Sequence, residues 1–234
     1  MGEELPVVEA LDLLAFGAHP DDVERTCGGT LIAMAEQGYR TGIIDLTAGG
    51  MGDRGNPRIR IEEAEAAAKI LLVAHRENLN MPDARLENSL AGRITIAAKI
   101  RELRPKTVIL PYWQDRHPDH YRACEMAYEG CFLAGLEKLD PYTAPHRPEK
   151  VIYSSIDAGV APSFVVDVTA QFERRLGASM AYESQIKNAE EMREWLAVTA
   201  RYFGNLIGCK YGEPFVVKDA MQVADVVALG VRTF

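Results

Sequence analysis

The chain is 234 residues long, 47% hydrophobic and 26% charged, with a formal net charge of −8. That length can bury a sizeable core, and that acidity argues against a nucleic-acid or anionic-membrane partner. No apolar run approaches the ~20 residues of a membrane-spanning helix.

The acidic start Met1-Gly2-Glu3-Glu4 lacks a secretory-signal pattern. Cys27, Cys124, Cys131 and Cys209 are scattered without a CxxC pair and read as reduced thiols of a cytoplasmic protein. Residues 13–18 form an apolar run with the length and flanks of a buried parallel strand. It ends abruptly in His19-Pro20-Asp21-Asp22-Val23-Glu24, and a helix is expected over 27–37. The polar cluster therefore sits where a strand hands over to a helix, the edge at which open α/β sheets bind ligands. Gly28-Gly29 has no GxGxxG around it and reads as close helix–strand packing, not a phosphate cradle.

Residues 40–46 give a second strand. The glycine-dense stretch Thr47-Ala48-Gly49-Gly50-Met51-Gly52-Asp53-Arg54-Gly55-Asn56-Pro57 follows, where glycines let backbone approach a ligand closely. A helix is predicted over 57–72, with Glu62, Glu63 and Glu65 facing water, then a short strand over 76–81. The helix over 90–103 is stopped by Arg104-Pro105, since the residue before proline is pushed out of the helical region. A strand over 107–111 runs into Tyr112-Trp113-Gln114-Asp115-Arg116-His117-Pro118-Asp119-His120, the second strand to end in His-Pro-Asp. Beyond it come a helix over 121–139, strands over 150–155 and 163–168, helices over 169–185 and 189–206, and an edge strand over 214–217 with Pro214 tolerated at its start. Strands alternating with helices predict βαβ units. The expected fold is α/β and Rossmann-like, a largely parallel sheet flanked by helices in three layers, with residues 1–234 as one domain.

The chemistry lies in spacing. Three of the five histidines fall in the two His-Pro-Asp stretches. His19 and Asp22 are three apart and share one side of a helical turn, which suits a zinc-like metal. Asp21 projects elsewhere and is free to act on water. His117 and His120 are also three apart. One more imidazole completes a His-Asp-His triad with an open position, the pattern of a catalytic site. Spacing alone does not say which of the two histidines binds; Asp119 can hold the other oriented and charged. Two histidines and a carboxylate suit Fe2+ as well as Zn2+. His75 and His146 lack ligand partners nearby and read as surface or loop residues.

Ala18-His19-Pro20-Asp21-Asp22-Val23-Glu24 with Cys27-Gly28-Gly29-Thr30, and then Arg116-His117-Pro118-Asp119-His120, resemble the PIG-L/LmbE-type deacetylases. These are zinc-dependent N-acetylglucosamine deacetylases, and the chain looks closest to the branch that includes the bacillithiol-pathway enzymes. The likeness runs from about residue 13 to 135. It resumes more weakly at Tyr182-Glu183-Ser184-Gln185 and Tyr211-Gly212-Glu213-Pro214-Phe215. It implies an LmbE-like fold in which His19, Asp22 and His120 hold zinc. It also implies Asp21 as general base and protonated His117 as oxyanion stabiliser, with Asp119 orienting that ring. The family's loop arginine maps to Arg54, although Gly50 stands where relatives often carry Glu. Asp83 and Arg147, beside strands on what reads as the same edge, are added as substrate-binding candidates. The implied reaction removes an acetyl group from an N-acetylglucosamine conjugate, a bacillithiol-precursor-like glycoside first. The alternatives are another N-acylated sugar or small amide or, in a different class, a non-catalytic metal- or nucleotide-binding module. A small amino-sugar substrate and a homo-oligomer, trimer or hexamer, are the partners implied.

Overall fold

The computed structural model describes residues 9–156 and 159–231; the acidic start at 1–4 lies outside them. The elements are β1 (Leu13–Gly17), α1 (Asp22–Glu36), β2 (Thr41–Thr47), α2 (Pro57–Leu71), β3 (His75–Met81), α3 (Leu90–Leu103) and β4 (Thr107–Pro111). After them come α4 (Pro118–Ala134), β5 (Lys150–Ser154), β6 (Phe164–Asp167), α5 (Phe172–Met180), α6 (Ala189–Ile207) and β7 (Gly212–Val216).

These strands form one seven-stranded sheet in the order β3-β2-β1-β4-β5-β7-β6. β1 to β5 pair in parallel, whereas β7 runs antiparallel to both β5 and β6. The predicted largely parallel α/β sheet is present. Side chains alternate along β1 as the pleat requires. Leu14 and Phe16 pack with Ile96, Ile100 and Ala127 of α3 and α4 on one face. Leu13 and Ala15 pack with Leu31, Ala64 and Ala178 of α1, α2 and α5 on the other. β1 and β4 are neighbours, yet their chains continue to opposite sides of the sheet, which makes their carboxyl ends the topological switch point.

Several boundaries differ from those read in the sequence, each for a local reason. α1 already begins at Asp22 and passes through a non-helical Cys27 (φ −146°, ψ 16°), so the acidic pair sits at the helix start, where the dipole favours it. α4 likewise begins earlier, with Pro118 in its first turn. The helix expected over 169–185 is only α5 followed by a 3-10 turn at Glu183–Gln185. That turn is tied down by Glu63, whose carboxylate accepts from the Ser184 amide and hydroxyl (both 2.7 Å) instead of facing water. β7 is an interior strand, not an edge. Pro214 is accommodated because β5 pairs only with Val216 and Phe215, so Pro214 has a strand beside it on the β6 flank alone.

Three buried carboxylates brace the core. Glu24 and Asp45 both meet Arg76, Asp45 with two bonds of 2.9 and 3.0 Å, and the Tyr182 hydroxyl donates to Glu24 (2.8 Å). Glu213, fully buried on β7, accepts from the Gly29 and Thr30 amides (2.8 and 2.7 Å), the Thr30 hydroxyl (2.6 Å) and Arg175. Gly29 is required there: a Cβ would stand 2.9 Å from both Glu213 Oε1 and Val168. Glu213→Ala leaves the Gly29 and Thr30 amides without their acceptor and Arg175 without its buried counter-charge, although Arg175 keeps the Glu24 and Arg25 carbonyls. Its expected cost is about 3–5 kcal/mol, the range for breaking a buried ion pair, read as a lower urea midpoint.

Candidate functional site

β1 and β4 pair from Leu13↔Thr107 to Ala15↔Ile109, so the turns that follow them emerge side by side. The His19 ring lies 4.9 Å from that of His117 and 5.5 Å from that of His120, and the latter two stack at 4.6 Å. Two sequence-distant corners thus form one cluster. It lines a cavity of about 670 Å3, together with Asp21, Asp22 and Asp83.

Asp22 is the meeting point. Its Oδ2 lies 3.4 Å from His19 Nδ1 and 3.3 Å from His120 Nε2. Two ligand atoms bound ~2.0–2.1 Å from one tetrahedral ion stand at about that separation. Each ring also has its other nitrogen on a carboxylate. His120 Nδ1 is 3.0 Å from Asp115 Oδ2, while His19 Nε2 is 3.1 Å from Asp83 Oδ1 and 3.2 Å from Asp119 Oδ2. Carboxylates placed this way orient both rings; with a metal in place of a proton, Nδ1 of His19 and Nε2 of His120 would be the ligating atoms, the arrangement of metal-ligating histidines. The residues present therefore fit a divalent metal. Among the described residues, two groups of three are compact enough to hold an ion: His19, His117 and His120, and His19, Asp83 and Asp119.

The remaining roles differ in part from expectation. Asp119 does not orient His117 with its carboxylate, which faces His19 and accepts from the Ala84 and Leu86 amides (2.8 and 3.3 Å). What meets His117 Nδ1 is the Asp119 backbone N–H, at 3.2 Å. That places the ring's own proton on Nε2. Burial and the charges of His120 and His19 hold its pKa below the ordinary histidine value. Both features favour a neutral His117 with Nε2–H as its donor over the protonated ring expected from the resemblance.

Asp21 sits in the left-handed region (φ 105°) and is buried. Arg25 Nη2 donates to its Oδ2 (2.7 Å) and Arg60 Nη2 to its Oδ1 (3.2 Å). Burial pushes its pKa up to about 6, while Arg25 and Arg60 pull the other way. The carboxylate is ionised at neutral pH and still basic enough to take a proton.

A family model described as PIG-L, GlcNAc-PI de-N-acetylase, matches residues 14–131, the span that carries both corners. This chain belongs to the PIG-L family. It is a deacetylase of that family, a metal-dependent amide hydrolase. Diacetylchitobiose deacetylase of Thermococcus kodakarensis is 28% identical over 222 residues, covering 89% of this chain and 83% of the relative. Among solved structures, the conserved protein TT1542 from Thermus thermophilus is 39% identical, with a TM-score of 0.86 over 92% of this chain and 98% of its own. N,N'-diacetylchitobiose deacetylase from Pyrococcus horikoshii, solved with an inhibitor, is 27% identical, with a TM-score of 0.81 over 90% and 84%.

Within this PIG-L chain the substrate-binding candidates scatter. Asp83 is in the cluster and also ties down the loop after β2 by accepting from the Met51 amide (2.6 Å). Arg54 is exposed on that loop and does not line the cavity, although Met51 and Gly52 do. Arg147 precedes β5, which starts level with the start of β4, so it lies at the opposite edge of the sheet. There it donates to Phe132 O and covers the Phe132 ring.

Sequence reasoning missed Arg25, Arg60 and Asp115. Arg60 reaches from α2 to Pro20 O (2.5 Å), Gly49 O (3.1 Å) and Asp21. It also explains a loop glycine. A Cβ on Gly49 would stand 1.7 Å from Arg60 Nη1, so this glycine makes room for a guanidinium, not for a ligand. A local signal existed in two cases. Arg25 is four residues from Asp21, within reach on a helix, and Arg60 begins the buried row Arg60, Ala64, Ala67, Leu71 of α2. Removing Asp115 leaves His120 free to rotate and change tautomer. Asp115→Ala is expected to weaken metal affinity about 10–100-fold, measured by competition with a chromogenic chelator.

Proposed function

We propose that residues 1–234 act as one zinc-dependent N-deacetylase domain that removes the acetyl group from an N-acetylglucosamine glycoside. One observation carries the reading: His19 and His120 converge on Asp22 Oδ2, each with its second nitrogen on a carboxylate, beside the buried Asp21. His19, Asp22 and His120 are the proposed ligands, and iron(II) suits the same donors. Zinc held by these residues would supply Lewis acidity and a more acidic water, with a pKa of about 7.

The chain's own residues complete the reaction. Asp21 accepts a proton as the water oxygen forms its bond to the acetamide carbonyl carbon. His117 Nε2–H donates to the carbonyl oxygen as negative charge develops there. Asp119 acts through its backbone N–H on His117 and through its carboxylate on His19. Protonated Asp21 then passes its proton to the sugar nitrogen as the C–N bond breaks, giving acetate and a free amine. Asp83 and Arg54 are retained as proposed substrate contacts on the β2–α2 side. Arg147, at the far edge, is not.

The relatives' names put N,N'-diacetylchitobiose beside the bacillithiol-type malate glycoside as substrates to try. The deciding experiment is an amine-release assay on N-acetylglucosamine, N,N'-diacetylchitobiose and the malate glycoside, with and without chelator. Release that the chelator stops is expected; none from any of the three with zinc restored overturns the reading. The free thiols Cys27, Cys124, Cys131 and Cys209 support a cytoplasmic location. None of the described helices is long and apolar enough to cross a membrane. A homo-oligomer, trimer or hexamer, is proposed on the exposed Tyr128 and Phe132 of α4 with Leu136 just beyond its end.

A further inference from the structure

The cavity of about 670 Å3 lies within the ~300–1,000 Å3 range of ligand pockets, and a single acetamido-hexose leaves most of it free. Part of its wall comes from α6, which contributes Trp195 and Thr199, one turn apart. α6 buries Leu196, Ala200 and Phe203. Trp195 lies one step round the helix from that row and stays 43% exposed. The Thr199 hydroxyl is tied back to Trp195 O at 2.9 Å, so the indole is the principal surface this wall offers. The other tryptophan, Trp113, packs edge-on against Tyr153 and at a tilt against Tyr112 and does not line the cavity. Neither α6 residue at the cavity carries a charge.

We infer that Trp195 is a specificity-determining residue, a platform for the second sugar ring of the substrate. The inference rests on the deacetylase reading above. A pyranose has a hydroxyl rim and faces made of C–H bonds. Laid flat on an indole, one such face removes apolar area from water on both partners while the rim keeps its hydrogen bonds. The acetamide of the first ring then lies toward Asp21 and His117, with the linked ring against α6.

The test compares wild type, Trp195→Ala and Trp195→Phe, zinc-loaded, on N-acetylglucosamine and N,N'-diacetylchitobiose. The ratio of kcat/KM for the disaccharide to that for the monosaccharide is expected to fall about tenfold or more in Trp195→Ala. The loss should lie chiefly in KM, and Trp195→Phe should restore most of it. In parallel, tryptophan fluorescence is titrated with the disaccharide in an Asp21→Asn background. The quench seen with Trp195 present should disappear in Trp195→Ala, although Trp113 still emits. An unchanged ratio, or a quench that survives in Trp195→Ala, overturns the inference. So does a wild type that cleaves the monosaccharide and rejects the disaccharide. A wild type that cleaves neither sugar leaves the deacetylase reading to the assay on the malate glycoside, and the titration then decides the platform alone: no quench by the disaccharide overturns it.

Discussion

Asp21→Asn is expected to lower kcat for deacetylation about 10²–10⁴-fold, the range for losing a general base, while the protein keeps its zinc and its fold. Asparagine is the informative replacement for two reasons. It has the shape of the aspartate, and it tolerates positive φ better than most residues, so the turn at φ 105° survives. Alanine would add backbone strain of about 1–2 kcal/mol to the loss of charge. Arg60 loses a counter-charge in the variant but still bonds Pro20 O and Gly49 O, which limits the damage to stability. Metal content, melting temperature and kcat measured on one preparation separate the outcomes. A loss of less than tenfold in kcat removes Asp21 from the role of base. Loss of zinc along with activity would make it part of the metal site.

His120→Ala is expected to abolish activity and to weaken metal binding by more than the ~10–100-fold typical of an outer-shell partner. His117→Ala should retain the metal and lose about 10²–10³-fold in kcat, the worth of one oxyanion donor. The pair matters because His117 and His120 stack at 4.6 Å and both reach His19. If His117→Ala instead sheds the metal, the ligand set is the three imidazoles and Asp22 is displaced from it. Chelation should mimic His120→Ala reversibly: activity goes with the metal and returns with added zinc.

Much of this site could be read from the chain because its signals are local. Two apolar runs each end in His-Pro-Asp, and parallel pairing brings such ends to one edge. The errors have equally physical sources. Arg147 precedes its strand, and what precedes a parallel strand lies at the amino edge, away from the ligands. The partner of His117 could not be read from spacing, since Asp119 offers a carboxylate and an amide in one residue and the helix start turns the amide toward the ring. Glu63 belongs to an acidic helix face, and only the return of the chain at Ser184 gives it partners. Arg60 was hidden by the habit of assigning arginines to water; its place in the buried row of α2 was the clue. Trp195, on α6, stands more than seventy residues beyond the last proposed ligand, and nothing near it in sequence marks it.

The hydrogen-bonded pairing of β1 with β4 has a consequence for how the catalyst comes into being. Adjacent strands are only ~4.8 Å apart, so the two halves of the centre are delivered by backbone ladders already locked in place. No domain closure and no swinging segment is needed to bring them together. Assembly of the reactive group is therefore one event with formation of the sheet, and the surrounding loops are left with the separate task of admitting and choosing what reacts.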